Sequence, residues 1–147
     1  MKLIDIENLP QVAMEFMNDV HEEDVNIIND LYDLVIEYEK NPTNDNETKV
    51  TSKYQEWFDH TVDHFRGEEE KMIELKFPPY PVHKGEHDHA LQTMDSVFRK
   101  WSSSKNIDDL KLYLKDQLPE WLTHHIKTMD TVTAVFFKTG LSPCSAH

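Results

Sequence analysis

Apolar residues recur three, four, seven or eight positions apart along four long stretches of this 147-residue chain, with short breaker segments between the stretches. That spacing is the period of an α-helix, and it places one apolar stripe along each stretch. A chain with only three glycines and this period is expected to be all-α. The first stretch begins near Pro10, a residue tolerated in a first helical turn, and runs to about Lys40. Met14, Met17, Val25, Ile28, Leu31, Tyr32 and Val35 form its apolar face, and residues 1–9 form an N-terminal arm. Asn41-Pro42-Thr43-Asn44-Asp45-Asn46 is a turn-rich breaker. The second helix is expected over about 47–75, marked by Val50, Tyr54, Trp57, Phe65 and Met72.

Phe77-Pro78-Pro79-Tyr80-Pro81 reads as a stiff connection that cannot continue a helix. The third helix is expected over about 82–101, through Leu91, Met94, Val97 and Phe98, with Ser102-Ser103-Ser104 ending it. The fourth runs over about 107–138, capped by Ser104 or Asn106 and stopped by Gly140 and Pro143. Pro119 lies inside it and is expected to kink or split it. Short links join antiparallel neighbours. The expected architecture is therefore one domain over 1–147, an antiparallel up-down-up-down four-helix bundle.

Composition narrows the function. Hydrophobic residues make up 38% of the chain, enough for a core and too many for a disordered acidic tail. A net charge of −13 argues against nucleic acid, whose phosphates require clustered Lys and Arg. No run of about 18 apolar residues is present, so no membrane span is expected. Asp5 falls where a signal peptide needs its apolar stretch, which makes a cytoplasmic protein the expectation. A single cysteine, Cys144, leaves no internal disulfide and no cysteine-built metal site. The acidic run Glu68-Glu69-Glu70 reads as a solvated face beyond Glu68.

Nine histidines are many for such a chain, and their phase carries the chemistry. His21 lies in the middle of the first apolar stripe, between Met17 and Val25. His64 and Glu68 are one turn apart on the second helix, with His60 one turn earlier on the same face. His83 and His87 form a one-turn pair on the third, a spacing that lets two imidazoles chelate one ion. On the fourth, His125 has Leu118, Trp121, Leu122, Met129 and Val132 as neighbours and points inward, whereas His124 has Gln117, Glu120 and Thr128 and points outward. Asp130 is rotated about 140° from His125 on an ideal helix, so it either serves a second ion or sits on a distorted turn.

Five histidines, one glutamate and one aspartate thus face inward. Left unpaired, such groups would cost several kcal/mol in total, and a metal resolves this by taking their lone pairs. Seven donors exceed the usual capacity of one first-row ion, so two ions sharing carboxylates is the natural count. Imidazole and carboxylate suit iron, manganese or zinc.

The motifs His64-Phe65-x-x-Glu68-Glu69, Tyr80-Pro81 ahead of His83-x-x-x-His87, and Trp121-Leu122-x-x-His125-Ile126 leading to Asp130, with His21 in Asn18-Asp19-Val20-His21-Glu22, resemble those of the hemerythrin family, specifically its single-domain bacterial members. The resemblance covers nearly the whole chain. It implies a diiron centre with an oxo or hydroxo bridge: His83, His87 and His125 on one iron, His21 and His64 on the other, and Glu68 and Asp130 bridging. It further implies reversible dioxygen binding at an open position on the second iron, with Trp121 and Leu122 as apolar pocket walls and no catalytic residue. Oxygen carriage, storage, scavenging or sensing follows, by a protein expected to be monomeric. The alternatives are a diiron enzyme reducing peroxide or nitric oxide, and an iron-handling or signalling module. His60 departs from the family pattern and has three readings: a proton donor behind the ligands, an alternative ligand, or a spectator.

Overall fold

The computed structural model describes residues 3–140, and every regular element among them is helical. Three long rods come first: α1 (Glu15–Lys40), α2 (Asn44–Glu74) and α3 (Tyr80–Ser104). The fourth rod is built in five pieces: α4 (Ile107–Leu112), a π-turn (Tyr113–Gln117), α5 (Leu118–His125), a second π-turn (Ile126–Asp130) and α6 (Thr131–Thr139). Helix α1 packs on α2, α2 on α3, and α4 touches both α1 and α3, which closes an antiparallel four-helix bundle. Among the described residues no helix is long and apolar enough to cross a membrane.

Two apolar clusters fill the interior. The larger gathers Val25, Ile28, Leu31 and Val35 with Val50, Tyr54, Trp57, Met94, Trp101 and Leu114, among others. Each fully buried aliphatic side chain of this kind contributes roughly 1.5–3 kcal/mol. The smaller joins Met72, Phe77 and Phe136. Between them, on all four rods, fall the inward histidines and carboxylates. The bundle thus carries one polar layer sandwiched by apolar ones.

Helix ends differ from expectation where local hydrogen bonds override composition. Pro10 is not helical, and α1 begins at Glu15. Asn18 accepts from the Val12 N–H (2.9 Å) and donates to the Val12 carbonyl (3.0 Å), which commits that residue's backbone to a side chain rather than to a helical turn. Asn29 clamps Ile4 in the same two-way manner, at 2.8 and 2.9 Å. Helix α2 starts at Asn44 because Thr43 Oγ1 caps it, accepting from the Asn46 N–H at 3.1 Å. Helix α3 starts at Tyr80, since Pro81 falls in the first turn, where its missing N–H has no intrahelical role. The serine run does not end α3. Ser103 and Ser104 donate back to the Lys100 carbonyl, and Lys105 at φ 53° makes the stop. Asn106 is the cap of α4, accepting from the N–H groups of Asp108 and Asp109. Gly140, at φ 74°, closes α6. At Pro119 the last rod stays helical but changes its winding, with a π-turn ending at Gln117 just ahead of it. The π-turn ends where the Leu118 N–H reaches the Tyr113 carbonyl, directly before the proline. Pro143, Cys144 and His147 lie outside the described residues.

Candidate metal centre

All seven inward residues named from the sequence meet in the polar layer. Glu68, His83, His87, His125 and Asp130 each present a donor atom within 4.8 Å of the others', and His21, His64 and Glu68 form a second such group. The two carboxylates straddle the groups. Glu68 Oε2 lies 2.6 Å from His64 Nε2, while its Oε1 lies 3.5 Å from both His83 Nε2 and His87 Nε2. Asp130 Oδ2 lies 2.9 Å from His21 Nε2, while its Oδ1 lies 3.1 Å from His83 Nε2 and 3.2 Å from His125 Nε2. One oxygen of each carboxylate therefore faces each half.

Asp130 reaches this position through the π-turn. Residues Ile126–Asp130 form one wide turn, which absorbs the extra residue between His125 and Asp130 and brings both onto one face. An ideal helix would have left them apart. His125 is 2% exposed, whereas its neighbour His124 is exposed, as phase required.

Outside the centre, hydrogen bonds fix four of the five rings. His83 Nδ1 lies 2.8 Å from Thr133 Oγ1, His87 Nδ1 2.9 Å from Glu69 Oε2, His125 Nδ1 2.8 Å from Glu86 Oε1 and His64 Nδ1 2.8 Å from Asp24 Oδ2. With Nδ1 bonded outward, each Nε2 turns to the interior. Phe65 stacks on His87 at 3.8 Å between ring centres and Trp121 on His125 at 4.6 Å, which holds those planes.

Among the described residues, six buried side-chain atoms have no hydrogen-bond partner: His21 Nδ1, Glu68 Oε1, His83 Nε2, His87 Nε2, His125 Nε2 and Asp130 Oδ1. The short contacts of Asp130 Oδ1 with His83 and His125 are thus close approaches without hydrogen-bond alignment. Each orphaned buried polar atom costs about 1–3 kcal/mol. Five of the six belong, one each, to the five residues of the larger group. An ion that takes one lone pair from each removes the penalty at a stroke, so the arrangement fits a metal site.

Electrostatics point the same way. Burial pushes the Asp130 carboxyl up, but His125, His21 and His83 around it outweigh burial and hold it well below the usual range. Burial and the neighbouring Asp130 charge push Glu68 up, and the hydrogen bond with His64 and the close approach of His87 more than reverse this. Burial pushes His64 down, yet Asp24 and Glu68 hold it well above the ordinary value. His125 is likewise raised, since Asp130 and Glu86 overcome its burial. Two ionised carboxylates in a dry layer draw positive charge onto themselves.

The hemerythrin HHE cation-binding domain matches residues 12–134 of this chain. The chain belongs to the hemerythrin family. The bacteriohemerythrin of Aquifex aeolicus is 33% identical to it over 90% of this chain and 95% of that one. The myohemerythrin of Sipunculus nudus is 34% identical over 54% of this chain and 58% of its own length. A solved crystal structure of a leucine-to-phenylalanine mutant shares the fold, with a TM-score of 0.76 at 20% identity, covering 95% of this chain and all of that one.

As a hemerythrin, the chain has features that sequence reasoning left unassigned or misassigned. Glu69 is not simply part of a solvated face. It lies 18% exposed against His87, because the register of α2 on α3 aims it across the interface. Glu86 and Thr133 were unassigned as well, for they meet their histidines only across helices. Of the three readings of His60, ligation is the one its position does not support. His60 Nδ1 sits 2.6 Å from Asp24 Oδ1 and Nε2 3.2 Å from Glu23 Oε2, and it belongs to neither donor group. The hydrogen bond to Asp24 lifts it to about 9. Trp121 and Leu122 line a cavity of about 250 Å³ that also touches His21, His64, His125 and Asp130. Exposed His89 stands at its rim.

Proposed function

We propose that this hemerythrin holds two iron ions in the polar layer and binds dioxygen there reversibly, as a carrier, store, scavenger or sensor. His83, His87 and His125 would hold one ion, His21 and His64 the other, and Glu68 and Asp130 would bridge them. The observation that carries this reading is the straddling of both carboxylates, with one oxygen aimed at each histidine group. Family membership supports iron as the metal.

When bound, the iron pair supplies the electrons that dioxygen borrows on binding and returns on release. The chain's own residues do the rest. Two histidines on one side against three on the other leave the His21/His64 half short of a donor, and both of those histidines line the cavity, against His125 alone from the other half. Trp57, Phe65, Trp121 and Leu122 wall the cavity with apolar surface, which admits a small apolar gas more readily than water or protons. Five neutral imidazoles and two carboxylates bring little negative charge. That donor set stabilises high oxidation states poorly and favours release of dioxygen over its cleavage.

The test is an iron assay joined to an absorption spectrum of the reduced protein, recorded in air and again under vacuum. Two irons per chain and a spectrum that reverses under vacuum are expected. One iron or none would contradict the two-ion site, and irreversible bleaching with turnover of added peroxide would favour a diiron enzyme.

A further inference from the structure

We propose that His60 is a positioning residue for the two-histidine half of the centre: it clamps Asp24, and Asp24 in turn sets the tautomer and orientation of His64. The inference rests on the reading of His64 as a metal ligand, and goes beyond it by naming the device that keeps His64 ready.

The outward partners of the histidines are not alike. Glu69 and Glu86, which hold His87 and His125, are 18% and 28% exposed, which leaves their remaining lone pairs open to solvent. Asp24 is only 7% exposed. Its Oδ2 faces His64 Nδ1 at 2.8 Å, and its Oδ1 faces His60 Nδ1 at 2.6 Å. A buried carboxylate needs donors on both oxygens to stay put. His60 provides the second, and its far nitrogen is tied at the surface to Glu23, 64% exposed, at 3.2 Å.

The clamp matters because His64 has a competing partner. Glu68 Oε2 lies one helical turn away at 2.6 Å from His64 Nε2. With its proton on Nε2, the ring would donate to Glu68 and block a donor atom of each residue at once. With its proton on Nδ1, the ring donates to Asp24 and offers Nε2 as a lone pair. When the ring gives up one proton to accept an ion, Asp24 and Glu68 compete for the one that remains, and a firmly held Asp24 keeps it on Nδ1. The three-histidine half has no such contest: the Nε2 atoms of His83, His87 and His125 make no inward hydrogen bond, so their outward bonds to Thr133, Glu69 and Glu86 meet no rival.

The experiment uses the full chain cleared of metal and titrated with zinc(II), with affinities read by competition with a chelator. Alongside it, ¹⁵N NMR of the histidine rings reads the tautomer of His64 in metal-free protein, at a pH high enough to leave that ring neutral, and in zinc-loaded protein. The wild type is expected to take two zinc ions, the weaker in the two-histidine half. Removing an outer partner of a metal-bound histidine typically costs about 10–100-fold in affinity, so His60→Ala is expected to weaken the second zinc by about tenfold or more, leave the first unchanged, and shift His64 toward the Nε2–H form. His60→Asn, whose amide can donate from nearly the same point, should restore both. His60→Leu fills the space without a donor and serves if the alanine variant does not fold. An unchanged second affinity with an unchanged His64 tautomer overturns the proposal, and so does an equal fall in both affinities. A wild type that takes fewer than two zinc ions overturns the two-ion reading instead, and the tautomer in metal-free protein then still decides the clamp.

Discussion

Replacing His125 and His124 in turn separates the buried centre from the surface one residue away. His125 is 2% exposed, 3.2 Å from Asp130, 2.8 Å from Glu86 and stacked on Trp121. Truncation to alanine leaves the Asp130 carboxylate in a dry layer without one of the groups that hold it ionised. Breaking one member of a buried charge pair costs about 3–5 kcal/mol. At roughly 2–4 °C per kcal/mol for a chain of this size, the metal-free His125→Ala protein should melt roughly 6–20 °C below wild type. His124 is exposed and lies in neither donor group, so His124→Ala should stay within about 0.5 kcal/mol. Melting followed by circular dichroism in the presence of a chelator measures the first effect, and an iron assay of protein purified without chelator measures the second. Two irons are expected in His124→Ala and at most one in His125→Ala. His125→Gln keeps most of the volume and distinguishes lost packing from a lost donor. Equal melting shifts for the two alanine variants, or full iron in both, would refute the phase argument and the site built on it.

Three other perturbations follow from single contacts. His60 sits at about 9 against an ordinary 6.5, chiefly through its hydrogen bond to Asp24. Its folded value is the raised one, so the stabilisation is full below pH 6.5 and fades as pH climbs through about 9. The melting difference between wild type and His60→Gln should shrink across that window, and a constant difference would contradict the pairing. Gly67 lies inside α2 with nothing within 4 Å of the place a Cβ would occupy. Gly67→Ala should therefore stabilise by about 1 kcal/mol, or roughly 2–4 °C in Tm, and a lower Tm would refute this. Leu122, 8% exposed, lines the cavity beside His125. Leu122→Ala should cost about 2 kcal/mol, the low end for such changes because one side already faces open space. It should also shorten the lifetime of the air-dependent absorbance, and an unchanged lifetime would remove Leu122 from the pocket wall.

The inward set was legible because helical phase is a strong constraint. Met17 and Val25 fix which way His21 points, and Leu118, Leu122 and Met129 do the same for His125. Asp130 was legible only as a misfit, and the misfit was informative: five residues from His125, it could join the site only on a widened turn, and Ile126–Asp130 is one. What phase does not encode is reach across helices. Glu86 meets His125 from 39 residues away and Thr133 meets His83 from 50, pairings that depend on interhelical register and side-chain rotamers rather than on spacing. Helix ends escaped for a related reason. Asn18 and Thr43 each use one side chain to redirect a backbone group, and such local bonds outweigh the weak preferences of proline and asparagine for a boundary.

The two halves of the centre are built to different tolerances, and the difference follows from the outward nitrogens. Every ring of the three-histidine half is held by a hydroxyl or carboxylate, and two are also stacked on aromatic faces. In the other half His64 depends on a dry carboxylate that itself needs His60, and His21 Nδ1 is buried without any partner. An ion on His21 Nε2 leaves an N–H on that orphaned nitrogen, an expense of about 1–3 kcal/mol that the ion's own binding must offset. Both histidines of the less tightly held half line the cavity, against one, His125, of the other half. A ligand arriving through the cavity thus meets the half with fewer donors and looser rings, while the stiff half keeps the shared carboxylates in place.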